Sequence, residues 1–122
     1  MPVMRILVVE DDPLVAEVLA EAIRGAGDEA LVALDGAEAL NVLSAIPVGG
    51  VFMDLVMPGL SGLAVLAQIR KRHPLLPVAV ISGHAVGETA AKAKGLGAVA
   101  VLEKPTTLAQ LTEILSKFRS AG

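Results

Sequence analysis

Val51-Phe52-Met53-Asp54-Leu55-Val56-Met57-Pro58 puts one carboxylate at the end of a buried apolar run, where a strand must give way to a loop. Its first three residues read as a short strand covered on both faces, and Met57-Pro58-Gly59 cannot prolong it, so Asp54 emerges at a strand's carboxyl end. In open α/β sheets that edge is where ligands bind. A lone aspartate there is equally well explained as a turn former or as the cap of the next helix. Repetition argues otherwise. Glu10-Asp11-Asp12 ends Ile6-Leu7-Val8-Val9, Ser82 ends Val78-Ala79-Val80-Ile81, and Lys104-Pro105 follows Ala98-Val99-Ala100-Val101-Leu102. Polar groups at four strand ends point to one shared site.

Outward from this stretch, apolar runs of strand length alternate with amphipathic stretches of helix length, the pattern of βαβ units around a parallel sheet. Five units fit. The first strand spans about 5–9, and its helix runs from Pro13, where a missing N–H costs nothing, to Ala26, with Leu14, Val18, Leu19, Ala22 and Ile23 facing inward. Residues 29–34 read as the second strand, and Asp35-Gly36 turns into a helix whose Ala39, Leu40 and Leu43 share a face before Pro47. Residues 50–53 form the third strand. Ser61 caps the next helix, with Leu63, Leu66 and Ile69 inward and Arg70-Lys71-Arg72 at its carbonyl end, where cations suit the macrodipole. Residues 86–94 are the weakest helix, surrounded or interrupted by Gly83, Gly87, Gly95 and Gly97. Thr107 caps a last helix facing inward through Leu108, Leu111, Ile114, Leu115 and Phe118.

The 122 residues suit one domain, 1–122, with a core large enough to need no metal staple or disulfide. Hydrophobic residues make up 54% and mean hydropathy is +0.69, yet no apolar run nears the length of about 18 residues that a membrane helix needs. A chain without cysteine, opening Met-Pro-Val-Met-Arg directly into a strand, suggests a soluble, cytoplasmic protein. A net charge of −3 leaves no basic footprint, so direct nucleic-acid binding is not expected.

Four segments together carry a family resemblance: Val8-Val9-Glu10-Asp11-Asp12-Pro13, Met53-Asp54-Leu55-Val56-Met57-Pro58-Gly59-Leu60-Ser61-Gly62, Ile81-Ser82-Gly83 and Leu102-Glu103-Lys104-Pro105. In that order they resemble the signature segments of the response-regulator receiver domain of two-component signalling, over essentially the whole chain. The resemblance implies a doubly wound, flavodoxin-like α/β fold with five parallel strands in order 2-1-3-4-5. Strands 1 and 3 then lie side by side, about 4.8 Å apart, so that Asp11 and Asp54 can share a cation. It also implies a cis peptide bond between Lys104 and Pro105.

Acidic groups clustered at Glu10, Asp11 and Asp54 resist ionising together unless a cation or proton intervenes. Mg²⁺, with its preference for oxygen ligands and retained waters, answers that need. By similarity Asp11 and Asp54 bind it directly, Glu10 through water, and Val56 through its carbonyl. Asp54 is then the nucleophile toward a phosphohistidine on a histidine kinase or histidine phosphotransfer protein, with Lys104 and Ser82 neutralising phosphoryl oxygens. Such a chain catalyses only its own phosphorylation and dephosphorylation, and a monomer or weak dimer without nucleic acid or membrane contact is expected. Asp12 reads as a helix cap and His73 as a surface residue. His84, two residues past Ser82, and the Val56 side chain are expected to tune the loss of phosphate.

The family usually carries an aromatic residue three positions before the lysine; here Val101 stands there, and the chain has no tyrosine or tryptophan. Valine is short and stiff at χ1, so it cannot change surface shape as a swinging ring does. The segment 83–97 is the alternative switching element. Two competing functions stay open: a phosphorylation-independent protein-binding module, and an aspartyl-phosphate hydrolase. The hydrolase ranks last, because such enzymes usually place a second aspartate where this chain has Val56.

Overall fold

Runs of β-branched and long aliphatic residues form five short strands, β1 Arg5–Val9, β2 Glu29–Ala33, β3 Gly50–Met53, β4 Val78–Ser82 and β5 Ala100–Glu103. Every neighbouring pair is parallel, in order β2-β1-β3-β4-β5, the order the resemblance implied. Five helices alternate with them: α1 Pro13–Gly25, α2 Gly36–Ala45, α3 Gly62–Arg72, α4 Gly87–Gly95 and α5 Leu108–Ala121. The computed structural model describes residues 2–57, 59, 61–83 and 87–121.

Alternation along the strands divides the core in two. Leu7, Val9, Val51, Met53, Val78 and Val80 face α2, α3 and α4, whereas Ile6, Val8, Phe52, Ala79 and Ile81 face α1 and α5. Both faces are covered, which is why these strands read as continuous apolar runs instead of alternating ones. Gly50 serves the second layer: a Cβ there would lie 2.2 Å from Phe118 Cδ2, so the glycine admits a ring that tilts against Phe52 at a centroid distance of 5.2 Å.

The helix starts follow their capping chemistry. Asp12 accepts from the Leu14 and Val15 amides, Asp35 from Glu38, Ser61 from Ala64, and Thr107 from Gln110. Strand 5 begins at Ala100 and not at Ala98, strand 4 includes Ser82, and the fourth helix ends at Gly95, shifts of one or two residues at element ends.

The inward face of α1 differs from the sequence reading. Ala16, Ala20 and Ile23 are buried, Leu19 and Ala22 pack at the margin, but Leu14 is 79% and Val18 69% exposed. Alanines spaced four apart let the helix lie close on the sheet, and that rotation turns the larger side chains outward. Leu108 is likewise 66% exposed, while Leu111, Ile114, Leu115 and Phe118 form the buried face of α5.

Candidate functional site

The site is assembled by backbone register before any side chain acts. The Asp54 amide donates to the Val9 carbonyl at 3.0 Å and the Glu10 amide to Ala33 at 3.0 Å, so β1 and β3 deliver their terminal acids to the same crevice. From the other side, the Lys104 amide donates to the Ser82 carbonyl at 3.2 Å, holding the β5 exit against β4. The Lys104–Pro105 peptide bond is cis, in line with the resemblance.

Glu10, Asp11 and Asp54 each bring a carboxylate oxygen within 4.8 Å of the others. Glu10 and Asp54 are buried, at 4% and 7% exposure, whereas Asp11 faces solvent. Lys104 reaches across the sheet: its Nζ donates to Asp54 Oδ2 at 2.9 Å and also to Glu10 Oε1. Asp54 Oδ1 accepts from the Val56 amide at 3.0 Å, and Glu10 Oε2 from the Asp12 amide at 3.2 Å. One ammonium thus serves two buried carboxylates while a third acid opens toward solvent.

The titration behaviour follows. Burial pushes the Glu10 carboxyl up, and the acidic neighbours Asp11 and Asp54 add to that, more than the hydrogen bonds from Lys104 and the Asp12 amide pull it down. For Lys104 burial works downward, but its hydrogen bonds to Glu10 and Asp54 prevail and the net direction is up. The ammonium is therefore held charged where the acids need it. Three oxygen donors with no sulfur or imidazole among them suit a hard cation such as Mg²⁺.

Among the described residues, those expected at the site fall together with one exception, Val101. Asp54, Asp11, Glu10 and Lys104 meet, and Ser82, fully buried at the end of β4, lies beside them in register with Glu103. Val56 follows Asp54 on the loop with its side chain 53% exposed. Val101 stands apart: it pairs with Val80 in the sheet and packs, half-buried, against the core on the α4 side. His84 lies outside the described residues. His73 caps α3 at the opposite end of that helix.

Two features had no sequence signal. A groove of about 600 Å³ runs from Asp54 and Lys104 between α1 and the start of α5, with Leu14, Val15, Val18 and Leu108 along it. And Gly62 at the start of α3 touches the loop that carries Asp54.

Comparison with known proteins agrees with this geometry. Residues 6–116 match the family described as the response regulator receiver domain. An NtrX-like response regulator of Rickettsia bellii is 34% identical over 119 residues, 96% of this chain and 25% of that protein. The DNA-binding transcriptional regulator NtrC of Escherichia coli K12 is 36% identical over 110 residues, 90% of this chain and 24% of that protein. The crystal structure of the receiver domain of NtrX from Brucella abortus superposes with a TM-score of 0.87 at 36% identity, covering 96% of this chain and 99% of that one. The chain thus spans about a quarter of the length of the curated relatives it matches.

Proposed function

This chain belongs to the response regulator receiver domain family, and on that premise we propose that it is the phosphoacceptor of a two-component or phosphorelay pathway, carrying phosphate on Asp54. The strongest support is the buried Asp54 carboxylate at the carboxyl end of β3, with the Lys104 ammonium at 2.9 Å and two further acids within 4.8 Å.

In the transfer, an Asp54 carboxylate oxygen attacks phosphorus, an O–P bond forms and the P–N bond of the donor phosphohistidine breaks. The electron pair stays on the imidazole, which takes up a proton. Lys104 is already within hydrogen-bond range of the acceptor carboxylate, so its charge meets the incoming phosphoryl oxygens without a long movement. Ser82, at the end of the neighbouring strand, supplies a hydroxyl on the other side. Glu10, Asp11, Asp54 and the Val56 carbonyl would hold Mg²⁺, whose contribution when bound is to neutralise phosphoryl charge.

The donor is a histidine kinase or histidine phosphotransfer protein. The apolar groove beside Asp54 supports a protein donor over a small molecule, since Leu14 and Leu108 stand exposed at its edge. The module acts in the cytoplasm, performs chemistry only on itself and makes no direct contact with nucleic acid. No helix among the described residues is long and apolar enough to cross a membrane.

Acetyl phosphate with Mg²⁺ tests the proposal: intact-mass measurement should show one added phosphoryl group on the wild type and none on Asp54→Asn. A wild-type chain that stays unmodified favours the second reading, a phosphorylation-independent binding module. Val101, in place of a movable aromatic, is the observation in favour of that alternative.

A further inference from the structure

We propose that the Arg70 guanidinium is the fulcrum of a lever: it fixes the C-terminal end of α4, so that phosphorylation beside the end of β4 moves only the N-terminal stretch of that helix. The difference between the two helix ends is independent of phosphorylation, whereas the response to phosphate rests on the phosphoacceptor reading above.

Arg70 lies half-buried in the last turn of α3, and its planar fork meets two chain reversals at once. In the turn after α4, Nε donates to the Leu96 carbonyl at 3.1 Å and Nη2 to that of Gly97 at 3.4 Å. In the turn after α3, Nη1 donates to the Pro74 carbonyl at 2.8 Å and to that of His73 at 3.4 Å. Gly97, at φ +87°, makes room for the fork: a Cβ there would lie 2.9 Å from Arg70 Nε. The turn also closes α4 with bonds from the Leu96 amide to Lys92, from Gly97 to Lys94 and from Ala98 to Ala93. The Val99 amide then joins the Val78 carbonyl at 2.8 Å. The C-terminal end of α4 is thus tied both to α3 and to the sheet.

The other end has no comparable hold. From Gly87 to Lys92 no residue is buried, and Ala93 is the one that packs into the core. The ion pair Glu88–Lys92, at 3.4 Å, lies within the helix and ties it to no other element. Exposed, thinly packed segments stand at the low end of local stability. This loose end is also the one that faces the phosphoryl site along the chain, since Gly87 opens α4 shortly after Ser82, whose carbonyl holds the Lys104 amide. A change at Ser82 therefore enters α4 at its unanchored end, and Arg70 stops it before the turn that leads into β5.

Amide exchange read by mass spectrometry tests both ends on the whole chain, with and without excess acetyl phosphate and Mg²⁺. Without phosphate, protection at 96–98 should exceed that at 88–92 by roughly tenfold or more in the wild type, and Arg70→Met should erase the difference. With phosphate, the wild type should change protection severalfold at 88–92 and leave 96–98 unaltered, whereas in Arg70→Met the change should extend through 98. Arg72→Met, which removes an exposed cation from the same turn, should match the wild type throughout. If Arg70→Met does not fold, Arg70→Lys decides by the same readings, because an ammonium keeps the charge but cannot span both turns as the fork does. Equal protection at the two ends of the unphosphorylated wild type overturns the proposal. So does a phosphate-linked change that reaches 96–98 in the wild type, spares α4 altogether, or stays confined in the Arg70 variant. An equal effect of Arg72→Met overturns it too, since charge and not the fork would then be responsible. A wild type that gains no phosphoryl mass sinks the phosphoacceptor reading and with it the response to phosphate, while the unphosphorylated comparison still decides the anchor.

Discussion

Asp28 offers the sharpest stability prediction in the molecule. Its side chain is fully buried in the turn before β2, and both carboxylate oxygens accept from Arg119 Nη2, at 2.5 and 2.7 Å. The Met4 amide donates to Oδ1 at 3.1 Å. Arg119 is itself only 24% exposed, and its Nε finds no hydrogen-bond partner among the described residues. Loss of the carboxylate therefore strands a largely buried guanidinium that has little else to turn to. Breaking a buried pair from one side typically costs about 3–5 kcal/mol, whereas replacing both members with neutral groups is close to neutral.

Asp28→Asn keeps an acceptor for Met4 and removes only the charge, so a loss of about 3 kcal/mol is expected; Asp28→Ala also orphans the Met4 amide and should lose about 1 kcal/mol more. For 122 residues each kcal/mol moves Tm by about 4 °C, so the alanine variant should melt about 16 °C below wild type. Arg119→Met alone should be comparably damaging, because it leaves a buried carboxylate uncompensated. The double variant Asp28→Asn with Arg119→Met should recover to within about 1–2 kcal/mol of wild type. Urea unfolding of the four proteins closes the cycle. Additive losses, or an Asp28→Asn cost under about 1 kcal/mol, would mean that the Asp28–Arg119 pair behaves as an exposed one.

Three further outcomes follow from the site and the helix ends. Lys104→Met leaves Glu10 and Asp54 without their shared ammonium and should slow acetyl-phosphate labelling by roughly 10²–10³-fold, read by intact mass. In Mg²⁺-free buffer the raised Glu10 carboxyl means that the folded state binds its proton more tightly than the unfolded chain. Its contribution to stability therefore falls as pH rises from 4.5 through the raised value, and the stability of Glu10→Gln should rise relative to wild type across that window in urea titrations; a variant that instead falls relative to wild type contradicts the assignment. Arg70, whose guanidinium donates to the carbonyls of His73, Pro74, Leu96 and Gly97, ties the end of α3 to the turn after α4. Arg70→Met should cost about 2–3 kcal/mol and speed amide exchange at 96–98, with unchanged exchange there counting against it.

How much of this was legible depends on the range over which each signal acts. Strand positions were readable within a residue or two because β1, β3 and β4 are covered on both faces and must be apolar throughout. The caps Asp12, Ser61 and Thr107 were readable because each acts within three residues, whereas Asp35, read as part of a turn, proves to cap α2 as well. The rotation of α1 was not, since hydrophobicity favours Leu14 and Val18 for the core while close packing on the sheet selects Ala16 and Ala20. Nor were Asp28–Arg119 and Arg70–Leu96, 91 and 26 residues apart, whose members look locally like a turn aspartate and like helix-end cations. The three site acids and the lysine were found because each lies where an apolar run ends. Gly62 was quoted within a motif, yet its packing role needs coordinates, because a close backbone approach leaves no periodic trace.

The exposed aliphatic face of α1 bears on how the phosphoryl group arrives. Val101 packs half-buried against the core and cannot swing a ring outward, whereas the apolar groove beside Asp54 is already formed. Leu14 and Leu108 border the same groove as Asp54 and Lys104, and at 79% and 66% exposure each has most of its apolar area still to lose. Burying such a side chain contributes about 1.5–3 kcal/mol, equivalent to roughly 10–100-fold in affinity. Leu14→Asp should therefore weaken phosphotransfer from a protein donor by that factor. Labelling by acetyl phosphate should stay near wild type, because the small donor touches Asp54 without needing the rim. Equal loss with both donors would mean that Leu14 supports the site's structure and not partner docking; loss with neither would remove this face from the path of the phosphoryl group.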